Sequence, residues 1–445
     1  MGAPVTTALA GIPPRPIAAA PAGLPRLLAG KRARPGRMHL ADHLNHYGDP
    51  FTAPYAFGGQ LFTTVERSGL LGRGGAGFPT TRKLDAVRRG RSRPIVVVNG
   101  MEGEPASAKD RYLLSVAPHL VLDGLALAAA EVDADAAVIA VRRDRTDAVH
   151  SIERALAERH GVGLDRIEPS VHQGPPRYVG GEETALVHWL NGGTIRPTAV
   201  PPRPFQRGVS GRPTLVLNVE TIAHIALLAR YGDAWFRSVG LPHAPGSALM
   251  TVTGDLGRGG VAEVSMGSSL QSIVGACDPR SQPEMVLAGG YFGGWLPWES
   301  CAGLRADPQQ LQAAGAGLGA GVLIVAPAGS CIIAETARIT AYLARESAGQ
   351  CGPCVNGVAA VARDLARMCT VDAGRVVTER LRSRIDIIDG RGGCALPDGV
   401  RRLVASVLEG FPDHVAMHER HGACSNAPQL PMSLPSTPLG PADWR

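Results

Sequence analysis

The chain has 445 residues, of which 44% are hydrophobic and 19% charged, a composition typical of a globular protein of about two to four domains. Aromatic residues make up 4% of the chain and no block of Lys and Arg is interleaved with them, which argues against a nucleic-acid-binding protein. The longest apolar stretch, residues 120–141, is interrupted by four acidic residues, so the sequence predicts no membrane-spanning helix.

The charged residues and the cysteines indicate the kind of partner and compartment. A formal net charge of +6 predicts a basic surface that could attract an acidic protein partner. Eight cysteines without an export signal favour the cytoplasm, where clustered thiols more often hold metals than form disulfides. Positive charge is carried mostly by Arg, since only Lys31, Lys83 and Lys109 among the 45 basic residues are lysines.

In chain order, residues 1–40 are rich in Ala, Pro and Arg and are predicted to form a flexible tail. Near residue 41 a short helix would place His39, His43 and His46 on one face, a spacing typical of either a metal site or a solvated face. Residues 41–242 then alternate strands such as "RPIVVVN" and "AAVIAVR" with helices, including an apolar helix near 117–131. This alternation predicts an α/β domain with a mostly parallel sheet.

The character of the sequence changes after residue 242. Residues 243–330 predict a β-grasp-like module: a strand, a Gly259-Gly260 turn, a second strand and a short helix begun by Ser268 or Ser269. "PEMVLAGGYFGGWLP" predicts one later strand, and "GVLIVAP" predicts another that returns the chain toward the last domain. Apolar residues recur at helical spacing through 331–425, which predicts a four-helix bundle, and 426–445 form a C-terminal tail.

The Gly-rich motif "GRGGAG", Gly72–Gly77, matches GxGxxG but follows "FTTVERSGLL", a poor strand, so a dinucleotide-binding Rossmann loop is disfavoured. Its bare backbone amides could approach a phosphate or a flat ring, with Lys83 adding a positive charge. A tight turn before a helix is the alternative.

Two acidic motifs and a pair of cysteines are further candidates for a functional site. Glu102 and Glu104 follow Asn99 at the end of a buried strand, where open α/β sheets bind ligands, although a solvated turn has the same pattern. "GGEET" places two glutamates in the first turn of a helix, which is also ordinary capping. In "ESAGQCGPC" the two cysteines have metal-binding spacing, and Ala348 stands where a third cysteine would complete CxxCxxC.

The chain resembles the flavoprotein subunit of complex I through five motifs, which occur in this order: "GLLGRGGAGFPTTRK", "NGMEGEPASAKDR", "GGEETAL", "LNVET" and the late CxxC. The same family supplies the NADH-oxidising subunits of soluble NAD-reducing hydrogenases and NAD-linked formate dehydrogenases. The resemblance extends from about residue 55 to residue 420. It implies a Rossmann-like FMN domain, a β-grasp (ubiquitin-like, SLBB-like) module and a C-terminal helical iron–sulfur domain.

The resemblance also implies the site residues. The FMN site would be formed by Gly72, Arg73, Gly74, Gly75, Lys83, Asn99, Glu102, Gly181, Glu182, Asn218 and Thr221. Glu183 would be the catalytic residue near the nicotinamide, and Phe78 and Glu104 would face the adenosine of NADH. Three cysteines, Cys351, Cys354 and Cys394, stand at family positions for a [4Fe-4S] cluster.

The sequence departs from the family pattern at several of these places. Met101 replaces an aspartate of the flavin site, and Ala86 replaces an aromatic residue that would stack on adenine. Val200 and Arg203 replace a Lys and a Phe that help to bind NADH. The predicted FMN site therefore departs from the family pattern at fewer residues than the predicted NADH site.

At the cluster, Ala348 leaves three thiolates at family positions. The fourth iron could take a water, another side chain or Cys369 as its ligand, or the cluster could hold three irons. An empty site with reduced thiols is the alternative. The remaining cysteines, Cys277, Cys301, Cys331, Cys369 and Cys424, are otherwise predicted to be buried or surface thiols.

The sequence thus predicts an oxidoreductase that moves electrons between NADH or a substitute donor, FMN and an iron–sulfur cluster, toward a ferredoxin-like or other redox partner. A flavoprotein that exchanges electrons with ferredoxin and does not use NADH is one alternative. A non-catalytic scaffold of the same fold is another.

Overall fold

The computed structural model of the chain describes residues 5–8, 23–29, 36–90, 92–370, 374–424, 427–432, 434–435 and 440–445. Of the tails predicted for 1–40 and 426–445, the structure describes residues 5–8, 23–29, 36–40, 427–432, 434–435 and 440–445. Leu27, Leu28 and Leu430 in these parts are buried in the cores of the chain, and the remaining residues of the tails lie outside the described ranges. In chain order the strands are β1 (Val5–Ala8), β2 (Ile95–Gly100), β3 (Ala136–Arg142), β4 (Ser170–Gly174), β5 (Thr214–Asn218), β6 (Ser247–Gly254), β7 (Gly260–Ser265), β8 (Met285–Ala288), β9 (Gly294–Pro297) and β10 (Val322–Val325).

Helices account for most of the remaining regular structure. They are α1 (Leu40–Tyr47), α2 (Gln60–Ser68), α3 (Thr80–Arg88), α4 (Lys109–Val116), α5 (Pro118–Glu131), α6 (Thr146–His160), α7 (Glu183–Leu190), α8 (Val219–Arg237), α9 (Leu270–Gly275), α10 (Trp298–Cys301), α11 (Pro308–Ala313), α12 (Ile332–Arg345), α13 (Ala359–Met368), α14 (Gly374–Ile388), α15 (Leu396–Gly410) and α16 (Pro412–His421).

The first sheet is parallel, as the alternating strands and helices predict, with strand order β4-β3-β2-β5. Strand β2, one of its two central strands, is apolar from Ile95 to Val98 and is buried on both faces. Val96 and Val98 pack in one core with α5 and α8, whereas Ile95 and Val97 pack in a second core that includes the C-terminal helices. Alternate side chains of one strand therefore join the sheet to two layers of helices.

The second sheet is mixed, with strand order β1-β7-β6-β10-β8-β9. The stretch predicted as a single strand, "PEMVLAGGYFGGWLP", forms the two antiparallel strands β8 and β9. Gly289 and Gly290 between them both have positive φ, at 97° and 78°, so the chain reverses there. Strand β10, predicted to lead into the last domain, lies inside this sheet between β6 and β8.

The C-terminal part is helical. Helices α12 to α15 carry the apolar positions read from the sequence, and their apolar faces are buried. The sequence pattern does not predict helix α16, which begins with Pro412 at its first turn. It packs on α14 and α15 and supplies histidines discussed below.

Within the described part of the chain, no single helix has the length and apolar composition of a membrane span. The adjacent pair α4 and α5 has that composition when taken together, but the two helices meet at 97°.

Candidate functional site

The ends of two neighbouring strands bring polar side chains together. Asn99 and Asn218 are direct partners in the parallel register of β2 and β5. The Asn99 side-chain amide donates to the Gly181 carbonyl at 2.8 Å, and the Asn218 side chain accepts from the Glu220 amide at 3.0 Å as the N-cap of α8. The start of "GGEET" and the start of "NVET" therefore meet at the carboxyl edge of the sheet, where α/β folds form ligand crevices.

The Gly-rich loop lies against this edge. It follows helix α2 rather than a strand, so the structure agrees with the argument against a Rossmann loop. The Gly72 amide donates to the Phe78 carbonyl at 2.8 Å and closes the loop. A Cβ at Gly74 would lie 3.4 Å from Cβ of Asn218, and Gly75 has a φ of 112°. The loop thus presents backbone without side chains beside the strand ends.

Lys83 places its ammonium group at the same crevice. Its Nζ lies 2.8 Å from Oε2 of Glu183 and 3.3 Å from the carbonyl oxygen of Val216 in β5. Both charged side chains are about 30% exposed, at 30% and 28%. A cation and a carboxylate that face solvent side by side can exchange this mutual contact for contacts with a ligand.

Other predicted cofactor residues use their polar atoms within the protein. The Arg73 amide donates to Oγ1 of Thr221 at 2.9 Å, and the buried Arg73 guanidinium donates to the Ser247 carbonyl at 3.0 Å. The Glu102 carboxylate accepts from the amides of Asp110 and Arg111 at the start of α4. Glu182 caps α7 in the same way. These residues shape the loops around the crevice.

The two residues predicted to face adenosine have different environments. The Phe78 ring is 43% exposed beside the Gly-rich loop. The Glu104 carboxylate is buried and accepts hydrogen bonds from the Tyr178 hydroxyl at 2.9 Å and the Tyr291 amide at 2.8 Å. Burial raises the pKa of Glu104 to about 7. Phe78 is free to stack on a ligand, whereas Glu104 joins the two sheets.

The four departures from the family pattern in the FMN and NADH sites also have defined positions. The Met101 side chain is 0% exposed and fills the space where a Cβ on Gly174 would lie, 2.6 Å from its methyl group. Its apolar surroundings account for a Met where an aspartate is expected. Val200 and Arg203 are exposed in the Pro-rich loop, and Ala86 is half-buried on α3. No aromatic ring therefore stands at Ala86 or Arg203.

Lys109 is a buried cation behind the crevice. Its Nζ lies 2.9 Å from the carboxylates of both Asp110 and Glu220, and 3.4 Å from Oδ1 of Asn218. Burial disfavours its charge, but the two carboxylates together hold the pKa of Lys109 above its ordinary value. The ammonium group therefore stays protonated and fixes the Asn218 side chain.

The three cysteines of the predicted cluster site lie together. Cys351 and Cys354 flank the start of a π-helical turn, Pro353–Val358, a feature frequent at functional sites. Burial, and then the Cys351 and Cys394 thiols, raise the pKa of Cys354 to about 12. Burial, and then the Glu182 carboxylate and Cys351, raise the pKa of Cys394. The long-range partner Cys394 is thus beside the CxxC pair.

The cluster loop is joined to the flavin-type motifs. Glu346, next to the loop, accepts a hydrogen bond from the Tyr178 amide at 2.8 Å and lies 3.4 Å from Nε of Arg177. Tyr178 lies a few residues before Gly181 and Glu182. The segment that ends in "GGEET" and the segment that begins the cysteine loop are therefore in direct contact.

Cys369, considered as a fourth cluster ligand, lies elsewhere. It lines a cavity of about 270 Å³ together with Cys331 and Cys424. Those two cysteines, predicted to be buried or surface thiols, belong to a group with His414 and His418 whose ligand atoms all lie within 4.8 Å of one another. Sequence reasoning missed this group, although His414 and His418 have the i, i+4 spacing of a helical metal site.

The histidines near residue 41 do not converge. His43 is buried with its Nε2 2.7 Å from Asp123, whereas His39 contacts Glu158. The His43–Asp123 contact lies in the core with Arg159 and Arg230 bound to the same carboxylate. The metal interpretation of that helix is therefore not supported.

Comparison with known proteins agrees with these motifs. Residues 65–227 match the family model of the Nuo51 FMN-binding domain, and residues 334–418 match the NADH-ubiquinone oxidoreductase-F iron-sulfur binding region. An NADH-quinone oxidoreductase subunit of Rhizobium meliloti is 32% identical over 382 residues, covering 82% of this chain and 90% of the relative. An NADH-quinone oxidoreductase subunit of Mycobacterium tuberculosis is 32% identical over 395 residues, covering 83% and 86%.

A solved structure supports the fold. A chain of the NAD+-reducing [NiFe]-hydrogenase in the H2-reduced state superposes with a TM-score of 0.75 at 28% identity, covering 86% of this chain and 67% of that one. In the air-oxidized state the TM-score is 0.78, with coverage of 92% and 69%. The fold is thus the mixed α/β fold of that hydrogenase chain. From its relatives, the chain belongs to the NADH-quinone oxidoreductase-F family.

Proposed function

We propose that the chain is an electron-transfer flavoprotein subunit that binds FMN at the crevice and an iron–sulfur cluster at Cys351, Cys354 and Cys394. The single observation that carries this proposal is the contact between the two sites. Tyr178 bonds Glu346 across the junction, and Glu182 lies near enough to Cys394 to raise its pKa. A flavin site and a cluster site must be neighbours for single electrons to pass between them.

The crevice residues fit FMN by their chemistry. Gly74 brings bare backbone against Asn218, so a flat ring or a phosphate can approach without meeting a side chain. Lys83 would balance the charge of a phosphate. The hydrogen bond from Asn99 to the Gly181 carbonyl would hold the Asn99 side chain in position to contact the ligand. FMN, when bound, supplies the conversion between two-electron and one-electron transfer.

The three cysteines fit an iron centre for an electrostatic reason. Burial and neighbouring thiols raise the pKa values of Cys354 and Cys394, so these two thiols are costly to ionise without a cation nearby. The Ser347 side chain, next to Ala348, lies near enough to Cys354 to lower the pKa of that thiol, so its hydroxyl is a protein group near the position left open. The fourth iron would take this hydroxyl or a water, or the cluster would hold three irons.

NADH is the proposed donor, with Phe78 and Glu183 as its contacts. The exposed Phe78 ring supports stacking, and the relatives named above are NADH-quinone oxidoreductase subunits. A second candidate, a ferredoxin-type donor, is favoured by the missing ring at Ala86 and by the exposed Val200 and Arg203. Each lost contact weakens nucleotide binding by on the order of 1 kcal/mol.

The domain division of 41–242, 243–330 and 331–425 is part of the proposal. Strands β6 and β7 with helix α9 support a β-grasp module, and helices α12 to α15 support a bundle around the cluster loop. All eight cysteines lie in described segments and none of them forms a disulfide, which supports a reducing compartment such as the cytoplasm. A redox protein that docks near the cluster is the proposed partner.

Anaerobic purification with FMN, iron and sulfide measured per chain tests the proposal. We expect one FMN together with iron and sulfide, and Cys394→Ser should lose iron while retaining FMN. The matched control is Cys277→Ala, a buried thiol in the core of the second sheet, which should keep both. A colourless chain without iron would instead support the scaffold alternative.

The donor is tested separately by stopped-flow absorbance of the bound flavin. Bleaching by NADH supports the dehydrogenase. Bleaching by reduced ferredoxin alone, with millimolar NADH inactive, would replace NADH by the second candidate.

A further inference from the structure

A second group of metal ligands lies at the other end of the helix that leads to the cluster loop. Cys331 is the N-cap residue of α12, His414 and His418 lie on α16, and Cys424 follows the end of α16. All four ligand atoms lie within 4.8 Å of one another. We propose that these residues bind one zinc ion in a closed, tetrahedral structural site, separate from the iron–sulfur site.

The distances match a tetrahedral ion. Sγ of Cys331 lies 3.1 Å from Nε2 of His418 and 3.6 Å from Nε2 of His414. Sγ of Cys424 lies 3.3 Å and 3.5 Å from the same two nitrogens. Zinc with Zn–S bonds of about 2.3 Å and Zn–N bonds of about 2.0 Å separates the sulfur and nitrogen ligands by roughly 3.5 Å.

The histidine that is most buried is also oriented for metal binding. Nδ1 of His418 lies 2.9 Å from the Met368 carbonyl oxygen at the end of α13. That carbonyl can only accept, so Nδ1 carries the proton and Nε2 keeps its lone pair directed at the two sulfurs. His414, one turn earlier on the same face, has its ring 5.1 Å away at an angle of 21°. Both imidazoles therefore approach the same point.

The sulfur ligands are placed for the thiolate form. The Ala334 amide in the first turn of α12 donates to Sγ of Cys331 at 3.4 Å, an arrangement that favours a negative sulfur. Two thiolates and two neutral imidazoles would balance the charge of a divalent cation. A buried site with no net charge avoids the cost of isolated thiolates. This donor set favours zinc over calcium or magnesium, which prefer oxygen ligands.

The site is distinct from the cluster site by its place in the fold. Cys331 precedes α12 and the cluster loop follows it, and a helix of 14 residues spans about 21 Å. After Cys424 the chain returns to α12, where the Leu430 amide donates to Glu335 at 3.0 Å. The ion would thus join the first turn of α12, the end of α13 and α16, and hold the helix that carries the cluster loop.

The test measures zinc and iron per chain in the anaerobically purified full-length protein. We expect one zinc per chain in addition to the iron, and loss of zinc in His418→Ala and Cys424→Ser. The matched control is Cys369→Ser, a thiol that lines the same cavity but is not among the four ligands, which should retain zinc. The double variant Cys351→Ser/Cys394→Ser should lose iron and keep zinc.

If a ligand variant fails to fold, the zinc site can still be tested in the unchanged chain by replacing the metal with cobalt(II). Intense visible absorption of tetrahedral cobalt with sulfur-to-metal charge transfer supports the site. The proposal is overturned by absence of zinc, by iron or a Cys331–Cys424 disulfide in its place, or by zinc loss in the double variant. Failure of the proposed electron-transfer function would appear as missing FMN and iron, and would leave the zinc content unchanged.

Discussion

Gly74 is the position in the Gly-rich loop where a side chain would disturb the folded chain least. Its backbone lies outside the left-handed region, unlike that of Gly75. The Cβ of an alanine would meet Cβ of Asn218 at 3.4 Å and Cγ at 4.0 Å, which are ordinary van der Waals contacts. We therefore expect Gly74→Ala to change the free energy of unfolding by less than about 0.5 kcal/mol.

The same methyl group would occupy the face on which FMN is proposed to lie. Inserting one carbon into a packed contact costs about 1–3 kcal/mol. This range corresponds to a dissociation constant for FMN that is weaker by about 5-fold to 150-fold. The substitution thus separates flavin binding from stability.

The assay titrates the apoprotein into FMN and follows the quenching of flavin fluorescence, with urea unfolding measured in parallel. Gly303→Ala is the matched control, because a Cβ there meets no atom within 4 Å and its backbone is not left-handed. It should bind FMN as the unchanged chain does. Unchanged affinity in Gly74→Ala would refute the placement of FMN against this loop.

Three further substitutions test the surrounding structure. Lys109→Met removes the cation that Asp110 and Glu220 share in the interior and should lower the free energy of unfolding by about 3–5 kcal/mol. Arg93→Ala, in an exposed ion pair with Asp133, is the control and should lower it far less, so equal losses by urea unfolding would contradict the burial argument. Burial raises the pKa of Glu104 from 4.5 to about 7, so the stability that it confers is present below about pH 4.5 and is lost as the pH rises to 7. Glu104→Gln should remove up to about 3 kcal/mol of this pH dependence, and unfolding curves of both chains that stay parallel from pH 5 to 7 would count against it. Ala348→Cys should slow the loss of iron in air by supplying a fourth thiolate, and an unchanged rate would show that the position is already filled by an equally strong ligand.

Features that depend on the local sequence pattern can be predicted from the sequence. Helix α5 is expected near 117–131 and lies at Pro118–Glu131, because its apolar residues and its proline at the first turn are local features. The partnership of Asn99 with Asn218 follows the rule that parallel strands end at one edge. The proximity of Cys394 to the CxxC pair comes from the family resemblance.

Residues that depend on packing between distant segments cannot be assigned in this way. His39, His43 and His46 show helical spacing, but a buried aspartate from α5 takes His43. His414 and His418 have a similar spacing on a helix that the pattern does not predict, and their two cysteine partners lie 83 positions earlier and 10 positions later than His414. Spacing alone does not distinguish the histidines of α1 from those of α16. The difference lies in which side chains the fold places next to the imidazole nitrogens: a carboxylate in the first case and two cysteines in the second.

The Tyr178–Glu346 bond and the nearby Arg177 have a consequence for engineered hybrids. A chimera that exchanges the C-terminal helices between relatives would separate Glu346 from Tyr178 and Arg177. The Glu346 carboxylate would then lose its hydrogen bond from the Tyr178 amide and its ion pair with Arg177, next to both proposed redox sites. Such a graft should carry residues 177, 178 and 346 from a single parent.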